Sequence, residues 1–211
     1  FKKWRSEYAD AQFILEEGKY ICGVEVEKMS KRLYNTVNPD DLVSRYGADT
    51  FRMYEMFLGP VEASKPWDTK GIEGVHRFLR KLWRLFFDEM KGKIWTTEKA
   101  TDAEWKAIYS TIKKVEEATE RFSFNTGVSA LMIGVNEITD LHCHKKEILE
   151  KLIITLAPYA PHISEELWEL LGNAGSVLDA SYPAVEDKYL IESSKNYPVA
   201  INGKTRRTEE H

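Results

Sequence analysis

The chain has 211 residues, 43% hydrophobic and 30% charged, with a formal net charge of −4. That is ordinary composition for one large or two small globular domains, and its acidity speaks against a general polyanion binder, so any site for phosphates must come from local clusters of Lys and Arg. Two distant cysteines, Cys22 and Cys143, argue against a disulfide framework and for a reducing cytosol. No apolar run is long enough to span a bilayer, and the stretch Phe1 to Phe13 has no secretory-leader pattern.

In chain order, "AQFILEEGKYICGVEVE" predicts two strands around a tight turn at Glu17-Gly18. Tyr20, Cys22, Val24 and Val26 alternate there with Ile21, Gly23 and Glu25. A loop carrying Lys28, Lys31 and Arg32 follows. Asn38 then reads as a helix N-cap, with Pro39 at the first helical position and Asp40 and Asp41 complementing the helix dipole. Gly47 interrupts that helix, Asp49 is expected to cap the next, and Gly59-Pro60 stops it. The polar stretch around Pro66 reads as a connector.

From Gly71 to Gly172 the period becomes helical. The first predicted helix, about Ile72 to Met90, buries Ile72, Val75, Phe78, Leu79, Leu82, Leu85 and Phe86. The second, about Asp102 to Phe122, repeats Trp105, Ile108, Ile112, Val115, Thr119 and Phe122. A third starts near Asn125 or Thr126 and buries Val128, Leu131, Met132, Val135 and Ile138. The fourth runs from about Lys145 to Leu156 and is broken by Pro158 and Pro161. A short fifth, "PHISEELWELL", ends at Gly172. Short connections favour an antiparallel bundle. Beyond it, Asn202-Gly203 predicts a type I′ turn whose second strand has barely begun when the chain stops, as at the start of a further domain.

Lys28 and Lys31 are flexible, closely spaced cations, which suits neutralising charge on triphosphate oxygens during an in-line displacement; a solvated surface pair is the plainer reading. At about 100° per residue, Arg77, Arg80, Lys81 and Arg84 form one stripe opposite the apolar face of the first bundle helix. His142, Cys143 and His144 are adjacent, but helical neighbours diverge and no second ligand pair follows, so no metal is expected. His162 reads as a structural residue near a helix start. Trp67, Trp83 and Trp95 are candidates for stacking on bases, whereas Trp105 and Trp168 fall at core spacing.

Residues 28 to 32, K-M-S-K-R, resemble the K-M-S-K-S signature of class I aminoacyl-tRNA synthetases, with Asn35, Pro39, Tyr46, Gly47, Ala48 and Asp49 following in the family's order. "RFLRKLW", "FSFNTGVSALM" and "APYAPHISEELWELLG" look like the helical anticodon-binding domain of the leucine, isoleucine and valine branch. "MFLGPVEASKPWDTKGIEGVHRFLRKLW" is most similar to the leucyl-tRNA synthetases, and "VAINGKTR" resembles the start of their small C-terminal domain.

The resemblance implies a mainly α chain. Residues 1–70 would close a catalytic domain, 71–175 form the antiparallel anticodon-binding bundle, and 176–211 link to a truncated C-terminal domain. It implies ATP-dependent joining of leucine to tRNA(Leu) through leucyl-adenylate, with ATP and Mg2+ as substrate, in a cytoplasmic, monomeric enzyme. Lys31 would stabilise the pyrophosphate portion of the transition state and Lys28 assist, with Met29, Ser30 and Arg32 completing the ATP loop. The departure is Arg32, where the family has Ser: a hydroxyl is replaced by a third cation. Arg77, Arg80, Lys81 and Arg84 become a candidate tRNA-backbone surface. The sequence contains no H-I-G-H motif, so the chain reads as a C-terminal portion without catalysis of its own. The alternatives are an isoleucyl- or valyl-tRNA synthetase fragment, a non-catalytic tRNA-binding module, and a protein-binding helical scaffold.

Overall fold

In a computed structural model the described residues are 6–12, 14–21, 23, 26–190, 196–201 and 204–210. The chain divides into two compact units, Phe1–Val37 and Asn38–His211.

In the first unit, β1 (Leu15–Glu16) pairs antiparallel with β2 (Lys19–Tyr20), Leu15 opposite Tyr20. Glu17 (φ 52°) and Gly18 (φ 76°) both lie in the left-handed region, the type I′ geometry that suits a two-residue hairpin. The strand expected to run on to Val26 is shorter. Ile21, Gly23 and Val26 are exposed and in no strand, and Cys22, Val24 and Glu25 fall outside the described residues. Alternation along a segment makes a strand only where a partner edge exists, and here the ladder has two rungs.

The second unit is helical. Asn38 Oδ1 accepts from Asp40 N at 3.2 Å and starts α1 (Pro39–Tyr46), which ends at Gly47 (φ 88°). In α2 (Ala48–Phe57) the N-cap is Gly47, with no side-chain hydrogen bond. Asp49 lies inside the helix, so the expectation that it caps α2 is corrected; its carboxylate serves another helix.

Helix α3 (Ile72–Trp83) buries Ile72, Val75, Phe78, Leu79 and Leu82. It is about two turns shorter than its period predicts. The Asp88 carboxylate accepts from Met90 N and Lys91 N at 2.9 Å each, and Gly92 takes a φ of 71°. These local turn bonds fold the segment expected to continue the helix into a hairpin of β3 (Phe87–Asp88) and β4 (Gly92–Lys93), while Leu85 and Phe86 stay buried.

Next comes α4 (Asp102–Glu120), opened by a capping box in which the Thr101 hydroxyl accepts from Glu104 N and the Glu104 carboxylate from Thr101 N. It buries Ile108, Ile112 and Val115 as predicted; Phe122, expected on the same face, lies past the helix end, 65% exposed with a φ of 56°. Residues 121–123 turn the chain back into α5 (Phe124–Asp140), which lies along α4. Close approach requires Gly134: a Cβ there would fall on the Thr111 hydroxyl of α4. Helices α6 (Lys146–Leu156) and α7 (Pro161–Leu170) complete the bundle, with Ile148, Leu149, Leu152, Ile153 and Leu156 fully buried.

Helix α2 packs on α3, α5 and α7, so α1 and α2 share a compact unit with the bundle. At the far end, β5 (Asn196–Ile201) and β6 (Lys204–Glu210) pair antiparallel, Ile201 opposite Lys204. The second strand, expected to have barely begun, is seven residues long; the Asn202-Gly203 turn lies outside the described residues.

Candidate nucleic-acid interface

The lysine loop belongs to the first unit. The Asn35 side chain closes it: Oδ1 accepts from Ser30 N at 2.8 Å and Nδ2 donates to Lys28 O at 3.4 Å. Ser30 Oγ accepts from Arg32 N at 3.3 Å and caps a single 3-10 turn, Lys31–Leu33, which Tyr34 ends in the left-handed region (φ 55°). Lys28, Lys31 and Arg32 are exposed and form no ion pair among the described residues. Position 32 thus enters the loop's hydrogen bonding through its backbone, which the exchange of Ser for Arg leaves intact. The sequence marked the cations; Asn35, which holds the loop's shape, carried no chemical signal of its own.

The stripe belongs to the second unit. Arg77, Arg80, Lys81 and Arg84 line one groove of about 590 Å³, with Leu85, Thr139, His142 and His144 completing its walls. The three arginines stand on the exposed side of α3 and its C-cap, away from Ile72, Val75, Phe78, Leu79 and Leu82, and Lys81 is half-buried. The four cations flank α5, and Lys81 donates to Asn136 Oδ1 of α5 at 2.6 Å. The groove is closed beyond α5 by His142 (φ 50°), and by His144, whose Nδ1 is 2.8 Å from Leu85 O. Arg77, Arg80 and Arg84 are exposed and make no ion pair among the described residues.

Arg80 also lines two neighbouring hollows. One, of about 450 Å³, lies between the α1–α2 junction, α3 and the start of α7. The other, of about 230 Å³, lies against the β3–β4 hairpin and is shared with Arg84. Trp83 lines both and is 37% exposed. The three hollows thus share Arg80; the first is cationic, the hairpin hollow sets Asp88 and Glu89 against its two arginines, and Trp83 stands between the second and the third.

Behind it sits a residue whose role the sequence concealed. Asp49 of α2 is buried, and its carboxylate accepts from His162 N (3.3 Å), Ile163 N (2.7 Å) and His162 Nδ1 (3.0 Å). It caps α7 from a different helix. His162 is structural at a helix start, as its position after Pro161 suggested.

His142, Cys143 and His144, adjacent in sequence, have separate surroundings. Cys143 is fully buried, and burial, with a hydrogen bond to the Glu104 carboxylate, pushes its thiol up to about 12. His142 and His144 face the basic groove. Among the tryptophans, Trp105 stacks on Tyr109 at 5.3 Å and both stack on Tyr189, whose segment is tied down by Tyr109 Oη donating to Glu186 at 2.8 Å. Burial and the Glu186 carboxylate push the Tyr109 phenol upward. Trp67 packs edge-on against Tyr54 at 5.1 Å, and Trp95 lies under Lys93 Nζ at 3.5 Å. No helix among the described residues is long and apolar enough to cross a membrane.

Comparison with known proteins places this geometry. Residues 105–210 match the family described as the anticodon-binding domain of tRNA ligase. The chain is 60% identical, over 98% of its length, to the leucine–tRNA ligase of Bacteroides thetaiotaomicron, and 60% identical over all of its length to that of Christiangramia forsetii. It spans 22% of each relative. Among solved structures it is similar to the LeuRS of Agrobacterium radiobacter in a ternary complex with tRNA and LeuAMS. The TM-score is 0.69 and the identity 29%, covering 87% of this chain and 25% of that one. A mainly helical chain, with a bundle matched by family and by structure, belongs to the anticodon-binding domain family of tRNA ligases.

Proposed function

We propose that the chain serves a leucine–tRNA ligase, bringing to it a lysine loop that acts on ATP and a helical bundle that holds tRNA(Leu). The observation that carries the tRNA reading is the groove beside α3. An acidic chain places three exposed arginines and a lysine along one line, with no carboxylate paired to the arginines among the described residues. Cations in a line fit an RNA backbone, which offers regularly spaced phosphates and little base information.

In the loop, Asn35 and Ser30 hold the backbone in one turn and leave the Lys28 and Lys31 ammonium groups free to reach outward. During adenylate formation negative charge grows on the departing pyrophosphate. A preorganised cation there stabilises the transition state more than the ground state. That role goes to Lys31, with Lys28 assisting, Arg32 adding charge and Met29 and Ser30 shaping the loop; Mg2+ would share the phosphate charge. Residues 1–70 then end the catalytic domain, 71–175 form the tRNA-binding domain and 176–211 lead into a further one. The ligase would work as a cytoplasmic monomer on leucine, ATP and tRNA(Leu).

The test is a salt titration of tRNA binding to the chain and to a variant with Arg77, Arg80 and Arg84 all changed to Gln. Each phosphate contact releases counterions, so binding weakens steeply with salt. The variant should keep its circular dichroism and lose roughly three units of that log–log slope. Equal slopes in two folded proteins would return the groove to an ordinary solvated surface.

A further inference from the structure

The cations explain backbone binding but leave the Trp83 ring and the hollow beside it unused. Trp83 stacks on Phe87 at 5.0 Å with 25° between the rings, and it is 37% exposed in spite of its size. It lines the 450 Å³ hollow together with Tyr46, His76, Leu79, Arg80 and His162; Phe87 is not among the lining residues. The ring therefore has Phe87 beside it and also forms a wall of a separate hollow. Tyr46 and His76 meet edge to face at 5.8 Å and give that hollow a second aromatic wall. A hollow of this size is within the range that takes a small planar ligand.

Charge decides which planar ligand fits. Arg80 on α3 and Arg84 at its C-cap flank Trp83, and Arg80 lines both this hollow and the long cationic groove. A ring seated here would have its attached phosphate at Arg80, and the next phosphates along the chain would meet Arg77 and Arg84. An isolated aromatic metabolite leaves those cations unused, and a uniform duplex leaves the ring unused because its bases are stacked inside.

We propose that this hollow receives one unstacked nucleobase of a bound RNA, with Trp83 as the stacking surface and Arg80 holding its phosphate. Resting on the tRNA reading of the groove, the proposal adds a requirement: the RNA must present an unpaired base where it crosses α3. The hollow exposes mainly apolar atoms, and the Asp49 carboxylate on its wall is already taken up by His162 and Ile163, so the preference is for an extruded base as such.

The probes are a short RNA duplex with one bulged uridine and the same duplex with an abasic sugar at the bulge. The two carry the same phosphates and differ only in the base. At low salt the chain should bind the bulged duplex roughly tenfold more tightly than the abasic one, as expected for one base stacked on an aromatic ring. Trp83→Phe should keep most of that ratio and Trp83→Leu should reduce it to one, with slope against salt unchanged in both. Equal binding of the two duplexes by the unsubstituted chain would overturn the proposal while leaving the cationic groove standing, and needs no variant to fold. A ratio that persists in a folded Trp83→Leu protein would overturn the assignment to Trp83. If neither duplex nor tRNA binds at low salt, the tRNA reading fails with it.

Discussion

Changing Asp49 to Ala removes a small side chain from α2, yet the helix expected to suffer is α7. The Asp49 carboxylate accepts from two backbone N–H groups at the start of α7, at 2.7 Å from Ile163 and 3.3 Å from His162, across 113 residues of sequence to His162. Losing an N-cap costs about 1 kcal/mol. Leaving part-buried N–H groups without a partner adds about 1–3 kcal/mol, and loss of a negative charge at a helix N-terminus adds a few tenths more. The ring contact with His162 counts for little, because that side chain is 76% exposed. The sum is about 3 kcal/mol, which for a unit of this size lowers the melting temperature by about 6–12 °C. Asp49→Asn keeps an acceptor and loses the charge, so it should fall about halfway. His162→Ala should stay within about 0.5 kcal/mol. Thermal melts by circular dichroism measure the order, and hydrogen exchange at the His162 and Ile163 amides locates it. If Asp49→Ala melts within about 2 °C of the unsubstituted protein, the carboxylate is not what holds the start of α7.

Three further outcomes are expected. In an intact leucine–tRNA ligase carrying this loop, Lys31→Ala should slow ATP–pyrophosphate exchange by about two to three powers of ten with a much smaller change in ATP affinity; near-normal exchange refutes its role. Gly134→Ala should destabilise by about 1–2 kcal/mol, because a methyl on the Thr111 side chain overpacks the α4–α5 contact by more than the gain in helix propensity, and Thr111→Ala should relieve it. A Gly134→Ala protein more stable than its parent in urea would refute the close approach. Cys143, fully buried with its thiol held at about 12, should resist alkylation at pH 8 in a Cys22→Ser background until the protein unfolds; modification at the rate of free cysteine would show that the site is open.

Much of the helical unit was legible in the sequence because its cues are local. Asn38-Pro39 and Pro161 mark helix starts through bonds and dihedrals within one turn. The apolar period of α6 named a set of residues that are all fully buried. Where the period misled, a competing local cue was present: Asp88 and Gly92 fold the end of the predicted first bundle helix into a hairpin, since a side-chain carboxylate offers its own backbone a better partner than another helical turn does.

The three cations of α3 and Arg84 at its C-cap share a stripe by helical geometry alone, so the sequence determined that they stand together. That they line a groove beside α5, that Arg80 joins three hollows and that Trp83 keeps its ring exposed are consequences of how helices pack. The same division separates the two cap signals on one short stretch. Asn38 caps the helix that follows it, because the acceptor and the N–H lie two residues apart in any chain with those dihedrals. Asp49 looks like a cap for its own helix and instead caps α7, because the packing of α2 against α7 brings two free N–H groups to a buried carboxylate. Local sequence sets which bonds are available; which of them is made is decided by burial, and burial is a property of the assembled unit.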